Sequence, residues 1–80
     1  MDRKTKELVG IAAAVAGHCR KCFAYHHVEA EKLGVDKGDI KEAIELAQAL
    51  RKAGDADMDE YAGKLISKNN KGAHARDRTI

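Results

Sequence analysis

No proline occurs anywhere in this chain, and no stretch alternates apolar and polar residues long enough to make a strand. Nothing therefore forces the backbone out of a helix. With alanine, leucine, glutamate and lysine abundant, an all-α fold is the economical reading. The glycines then serve as punctuation. A first helix is expected from Arg3 to Ala16, capped by Asp2, with Leu8, Ile11, Ala12 and Val15 as its apolar stripe. Val9, Ala13 and Ala16 widen that stripe, and Gly17 ends the helix in the left-handed conformation of a C-terminal cap. A second helix is expected from His18 or Cys19 to Leu33, with Phe23, His26, Ala30 and Leu33 on one side and Gly34 as its cap. Asp36 caps a third, whose stripe is Ile40, Ala43, Ile44, Ala47 and Leu50. Leu46 and Ala53 widen it, which predicts cover on more than one side, and Gly54 stops it. A fourth runs from Asp57 to Lys68, with Met58, Tyr61, Ala62, Leu65 and Ile66 as core, and ends at Asn69, Asn70 and Gly72. The expectation is a compact antiparallel bundle of about four helices, one domain over residues 1–72, followed by an unstructured tail over 73–80.

Eighty residues with 44% hydrophobic and 35% charged side chains describe one domain with a heavily solvated surface. A core of that size contributes only a few kcal/mol, so association with copies of itself is expected. The net charge is only +2 and there are three aromatics, which argues against nucleic acid held by base stacking. Basic residues cluster only in the tail from Lys68 to Arg78. The start, Met-Asp-Arg-Lys-Thr-Lys-Glu, has no apolar stretch of the secretory kind, and the longest apolar run, Ile11 to Ala16, is too short to span a bilayer. These features predict a cytoplasmic location and no membrane partner. In that compartment two close cysteines are more often catalytic or metal-binding than a structural disulfide.

The two cysteines lie in Gly17-His18-Cys19-Arg20-Lys21-Cys22-Phe23-Ala24-Tyr25-His26-His27, with three of the four histidines. Cys19 and Cys22 are three residues apart, and Cys22 and His26 four, so the spacing puts all three on one side of a helix. Two thiols one turn apart can close a disulfide with little backbone movement. The helix N-terminus favours a thiolate, Arg20 and Lys21 add positive potential, and His26 is spaced to take the thiol proton. The dipole is strongest at Cys19, whereas the base is nearer Cys22; the need for a base within reach favours Cys22 as nucleophile. Helix one must fold back on helix two to bury both apolar stripes, which leaves two readings of Glu7: a carboxylate that orients the His26 imidazole or accepts its proton, and a solvated surface acid.

Glu7, Cys19, Cys22 and His26 read as Glu-x11-Cys-x-x-Cys-x-x-x-His, followed by Glu31-Lys32-Leu33-Gly34-Val35 and Asp39-Ile40-Lys41-Glu42-Ala43. This pattern, covering roughly Glu7 to Leu65, resembles the alkylhydroperoxidase D-like proteins of the carboxymuconolactone decarboxylase superfamily. The resemblance implies an all-α oligomer, trimeric or hexameric, with thiol-dependent peroxidase or disulfide reductase activity and no haem, flavin or other cofactor. Carried over by position, it implies Cys22 as nucleophile, Cys19 as resolving thiol, His26 as base and Glu7 as the far end of the proton relay. It also implies a peroxide or disulfide substrate and an external dithiol as electron donor. Lys21 departs from the pattern, since relatives often carry a histidine or an aromatic before the second cysteine.

Competing readings of the same residues are a zinc site made by Cys19, Cys22 and His26 with His18 or His27, an iron–sulfur site shared between subunits, and an inert buried cysteine pair. Haem attachment is excluded as a motif, because Phe23 rather than histidine follows Cys22. A structural oligomerising module and a lactone decarboxylase remain as rival functions, though lactone decarboxylation has no need of a neighbouring dithiol. His27 is read as a surface or interface residue, Tyr25 as packing or interface, and Glu42 and Glu45 as a solvated face.

Overall fold

Asp2 opens the first helix. Its carboxylate accepts the backbone N–H of Thr5 at 2.8 Å and the Thr5 hydroxyl at 3.0 Å, and α1 runs Arg3–Ala16. The computed structural model describes residues 1–68, where the regular structure is entirely helical: α1, α2 (Arg20–Lys32) and α3 (Lys37–Lys68). The expected helix end at Asn69, Asn70 and Gly72, the 72/73 boundary and the tail lie outside the described residues.

Two turns of the same design set the helices at their angles. After α1, the N–H of His18 donates to the Val15 carbonyl at 3.3 Å and that of Cys19 to the Ala14 carbonyl at 2.9 Å. After α2, the N–H of Gly34 donates to Glu31 at 3.1 Å and that of Val35 to Ala30 at 3.0 Å. Each is a paired closure that satisfies the last carbonyls of a helix and requires one left-handed residue. Gly34 takes that conformation in the second turn, at φ 74°. In the first it is His18, at φ 59°, and not Gly17, whose φ is −90°. The expectation of a left-handed Gly17 is thus corrected: glycine ends α1, but the next residue carries the turn. Asp36 caps α3, its carboxylate accepting the N–H of Gly38 at 2.6 Å and its carbonyl those of Asp39 and Ile40.

α1 is the middle helix, packed against α2 on one side and α3 on the other. Ile11, Ala30, Val35 and Ile40 form the buried cluster, with Leu8, Phe23, Leu33 and Ile44 half-buried around it. Small buried residues, Ala14 on α1 and Ala47 on α3, let the helices approach closely. Arg51 ties them further: its Nη1–H donates to the Val15 carbonyl at 2.8 Å, adding a cation at the negative end of α1. Val9, Ala13 and Ala16, expected to widen the α1 stripe, are exposed.

Three helices, not four, make up the described residues, because α3 runs unbroken through Gly54. A glycine inside a helix costs only about 0.5–1 kcal/mol relative to alanine, which its helix-forming neighbours Ala53 and Ala56 offset. A helix end also wants an apolar residue just after the glycine to bury. Gly34 is followed by Val35, which enters the core, whereas Gly54 is followed by Asp55. The 32 residues of α3 extend about 48 Å against about 21 Å for the 14 of α1. Among the described residues, the second half of α3 therefore has no helix beside it. Met58 (61% exposed), Tyr61 (58%), Leu65 and Ile66 were expected in a core and are solvent-facing, and Leu46 and Leu50 are exposed too. Among the described residues, the bundle is neither compact along its length nor covered on a second side of α3. Among the described residues, no helix is long and apolar enough to cross a membrane.

Candidate active site

The turn that ends α1 delivers Cys19 directly to the start of α2. Cys19 is the N-cap, in extended conformation, and its Sγ accepts the backbone N–H of Cys22 at 3.2 Å, the bond a serine or threonine oxygen makes at this position. Cys19 is thus half outside the helix rather than on its face as the spacing suggested. Cys22 is the third residue of α2, and the two sulfurs are joined in a disulfide across a Cα–Cα separation of 5.3 Å. Cys22 is exposed and Cys19 half-buried, so the pair is not buried as one of the competing readings expected.

One helical turn beyond Cys22, His26 meets Glu7 across the α1–α2 interface. The Nδ1–H of His26 donates to Glu7 Oε1 at 2.6 Å, with both side chains largely shielded. A carboxylate on Nδ1 fixes the proton there and leaves Nε2 with a lone pair, the form of imidazole that accepts a proton. The ring fits against α1 because Gly10, one turn after Glu7, has no side chain: a Cβ there would lie 2.6 Å from His26 Cγ. Tyr25 meets the same imidazole edge-on, with ring centroids 5.1 Å apart. The four predicted residues therefore form two pairs, Cys19–Cys22 at the start of α2 and Glu7–His26, whose histidine follows Cys22 by four residues on the same helix.

The other histidines stand apart. His27 stacks on Phe23 with centroids 5.6 Å apart, and its Nε2 lies 3.9 Å from Glu31. His18 occupies the turn and is exposed. Among the described residues, no group of three or more His, Cys, Asp and Glu side chains is placed to hold a metal ion. The zinc set of Cys19, Cys22 and His26 with His18 or His27 is thus not assembled within one chain.

A groove of ≈ 310 Å³ opens beside Cys19, where α1, α2 and α3 meet. Ala14, Val15 and Phe23 give it an apolar lining, and its polar groups are His18, Arg20 and Arg51, with no carboxylate among them. Neither Gly10 nor Arg51 stood out in the sequence. Gly10 carried a signal: it falls on the apolar side of α1, three residues after Glu7, where a side chain would be expected. Arg51, on the third helix, carried none.

The sequence model of the carboxymuconolactone decarboxylase family matches residues 1–65, the region that includes every residue of this site. No curated protein and no solved structure matches the chain.

Proposed function

The chain belongs to the carboxymuconolactone decarboxylase family, and from that membership we propose that it is a thiol-dependent peroxidase or disulfide oxidoreductase of the alkylhydroperoxidase D-like kind. The observation that carries the reading is the Glu7–His26 hydrogen bond, made between residues 19 apart in sequence and set one turn from an exposed redox cysteine. A carboxylate held against an imidazole beside a thiol is the arrangement of an activated nucleophile.

In the reduced protein His26 Nε2 takes the Cys22 proton, and Glu7 stabilises the resulting imidazolium. The Cys22 thiolate attacks the distal peroxide oxygen, the O–O bond breaks, and the departing alkoxide takes the proton from His26 as the alcohol. Cys22 is left as a sulfenic acid. The Cys19 thiol attacks that sulfur, water leaves, and the disulfide forms. The N–H of Cys22 that reaches Cys19 Sγ favours negative charge on the resolving sulfur during this step. For a disulfide substrate the same thiolate attacks sulfur, and Cys19 resolves the mixed disulfide. An external thiol donor then restores both cysteines. The chemistry suits a reducing cytoplasm. Self-association, as a trimer or hexamer, belongs to the same proposal and is supported by the apolar residues of α3 that lie beyond the reach of α1. Lactone decarboxylation gains no support from a neighbouring dithiol.

The test is a thiol count before and after a pulse of hydroperoxide. Two thiols should disappear together in the intact protein, and a sulfenic acid should accumulate on Cys22 in Cys19→Ser. Persistence of sulfenic acid in Cys22→Ser with none in Cys19→Ser reverses the order of the cysteines, and loss of no thiol in the intact protein ends the reading.

A further inference from the structure

The redox reading leaves the donor unspecified, and the groove beside Cys19 bears on it. Only one residue of the disulfide lines that groove: Cys19 does, Cys22 does not. Its volume of ≈ 310 Å³ is at the small-molecule end of the pocket range and suits a compact ligand rather than a peptide. Its polar groups are two guanidiniums and an imidazole, without an acid to neutralise them. Arg51 spends one N–H on the Val15 carbonyl, leaving the rest of its planar fork of donors for a carboxylate. Arg20 is in no ion pair with a described residue.

We propose that this groove is the docking site of the reductant, a small thiol bearing a carboxylate, which attacks Cys19 and releases Cys22. The proposal rests on the redox reading of the cysteine pair. Arg51 and Arg20 hold the carboxylate while the donor thiolate lies against the apolar walls next to Cys19 Sγ. The donor sulfur bonds to Cys19 Sγ, the Cys19–Cys22 bond breaks, and Cys22 leaves as the thiolate one turn from His26. A second donor thiol, on the same molecule or another, then attacks the donor sulfur of the mixed disulfide, and Cys19 leaves as thiolate. Its charge is favoured by the Cys22 N–H, which suits a leaving group. Two donor thiols become one donor disulfide, and two electrons and two protons pass to the cysteine pair. The site is thereby two-sided: peroxide meets the exposed Cys22, and the reductant enters at Cys19.

The experiment reduces the oxidised full-length protein with 3-mercaptopropionate and with its uncharged amide, each rate divided by the rate of the same thiol on 2-hydroxyethyl disulfide. The carboxylate should show an advantage of about 10-fold. It should fall toward unity in Arg20→Gln and Arg51→Gln and in about 1 M salt, where the screening length is about 3 Å. Arg51→Lys should retain part of it, which separates charge from any loss of folding. Acid quenching, alkylation and tryptic cleavage at Arg20 and Lys21 place the two cysteines on different peptides. The mercaptopropionate adduct should be on the Cys19 peptide and the alkyl group on the Cys22 peptide. No advantage for the carboxylate, an advantage untouched by the arginine variants, or an adduct on Cys22 each overturns the proposal. Peroxide-driven loss of thiols, measured separately, shows whether the redox reading stands when the donor site does not.

Discussion

Gly10 and His26 occupy one volume: a Cβ built on Gly10 would come within 2.6 Å of both Cγ and Nδ1 of the imidazole. The nitrogen it would strike is the one that holds Glu7. Gly10→Ala must therefore move the ring, the helix or both, and the Glu7–His26 hydrogen bond breaks first. The expected outcome is a fall of about 10²-fold in the rate of peroxide-driven thiol loss, the scale of one positioned general base. Overpacking should also cost about 1–3 kcal/mol of stability. Glu7→Gln separates the two effects, since it keeps the shape and removes the charge: it should lose a similar share of rate with far less stability. Stopped-flow thiol loss and urea melts on both variants check this. A fully active Gly10→Ala protein removes His26 from the reaction.

His18 carries the left-handed turn that Gly34 carries at the equivalent point after α2. A side chain in that conformation costs about 1–2 kcal/mol. His18→Gly should therefore be more stable than the starting protein by about 1 kcal/mol, or about 4–8 °C in Tm for a domain of this size. His18→Ala, which keeps a Cβ, should gain nothing of the kind. Thermal melts of the two variants decide it, and equal stabilities mean that the turn stores no strain.

These two positions show where the sequence is legible and where it is not. The all-helical class, the bounds of α1, the Asp2 and Asp36 caps and the pairing of a fold-back α1 with α2 follow from periodicity and capping residues, which act locally. The juxtaposition of Glu7 and His26 is legible only through the family pattern, because periodicity alone leaves Glu7 equally well a solvated surface acid. The unbroken α3 is not legible, because a glycine alone does not stop a helix. The residue after it decides, Val35 after Gly34 against Asp55 after Gly54. The core role expected of Met58 and Tyr61 fails for a related reason: an apolar stripe shows which side is apolar, not whether anything lies beside it. Arg51 depends on the crossing of α1 and α3, which no local pattern encodes.

The continuity of α3 is itself testable. Gly54 has no atom of another residue near the place a Cβ would take, so Gly54→Ala adds no clash and removes the flexibility of an interior glycine. Stability should rise by about 0.5–1 kcal/mol, with an increase in helical ellipticity. Were Gly54 the left-handed end of one helix and the hinge to a fourth, the same change would be destabilising. A urea titration followed at a helix-sensitive wavelength gives the sign directly.

The Asp2 cap sets an acid limb on stability. The bonds from the Thr5 backbone N–H and then the Thr5 hydroxyl hold the Asp2 carboxyl below its ordinary range, because both favour the carboxylate. A carboxyl whose folded pKa is lowered stabilises the fold above its unfolded value, about pH 4, and loses that contribution as the pH falls through the folded value. Asp2→Asn keeps a capping oxygen for the Thr5 N–H but does not titrate. The intact protein should therefore be the more stable of the two at neutral pH, and the gap between their Tm values should close as the pH drops below about 4. Every other residue is the same in both proteins, so its contribution cancels in the difference. A gap that stays constant into the acid range shows that the cap acts through its geometry alone, with no part played by its charge.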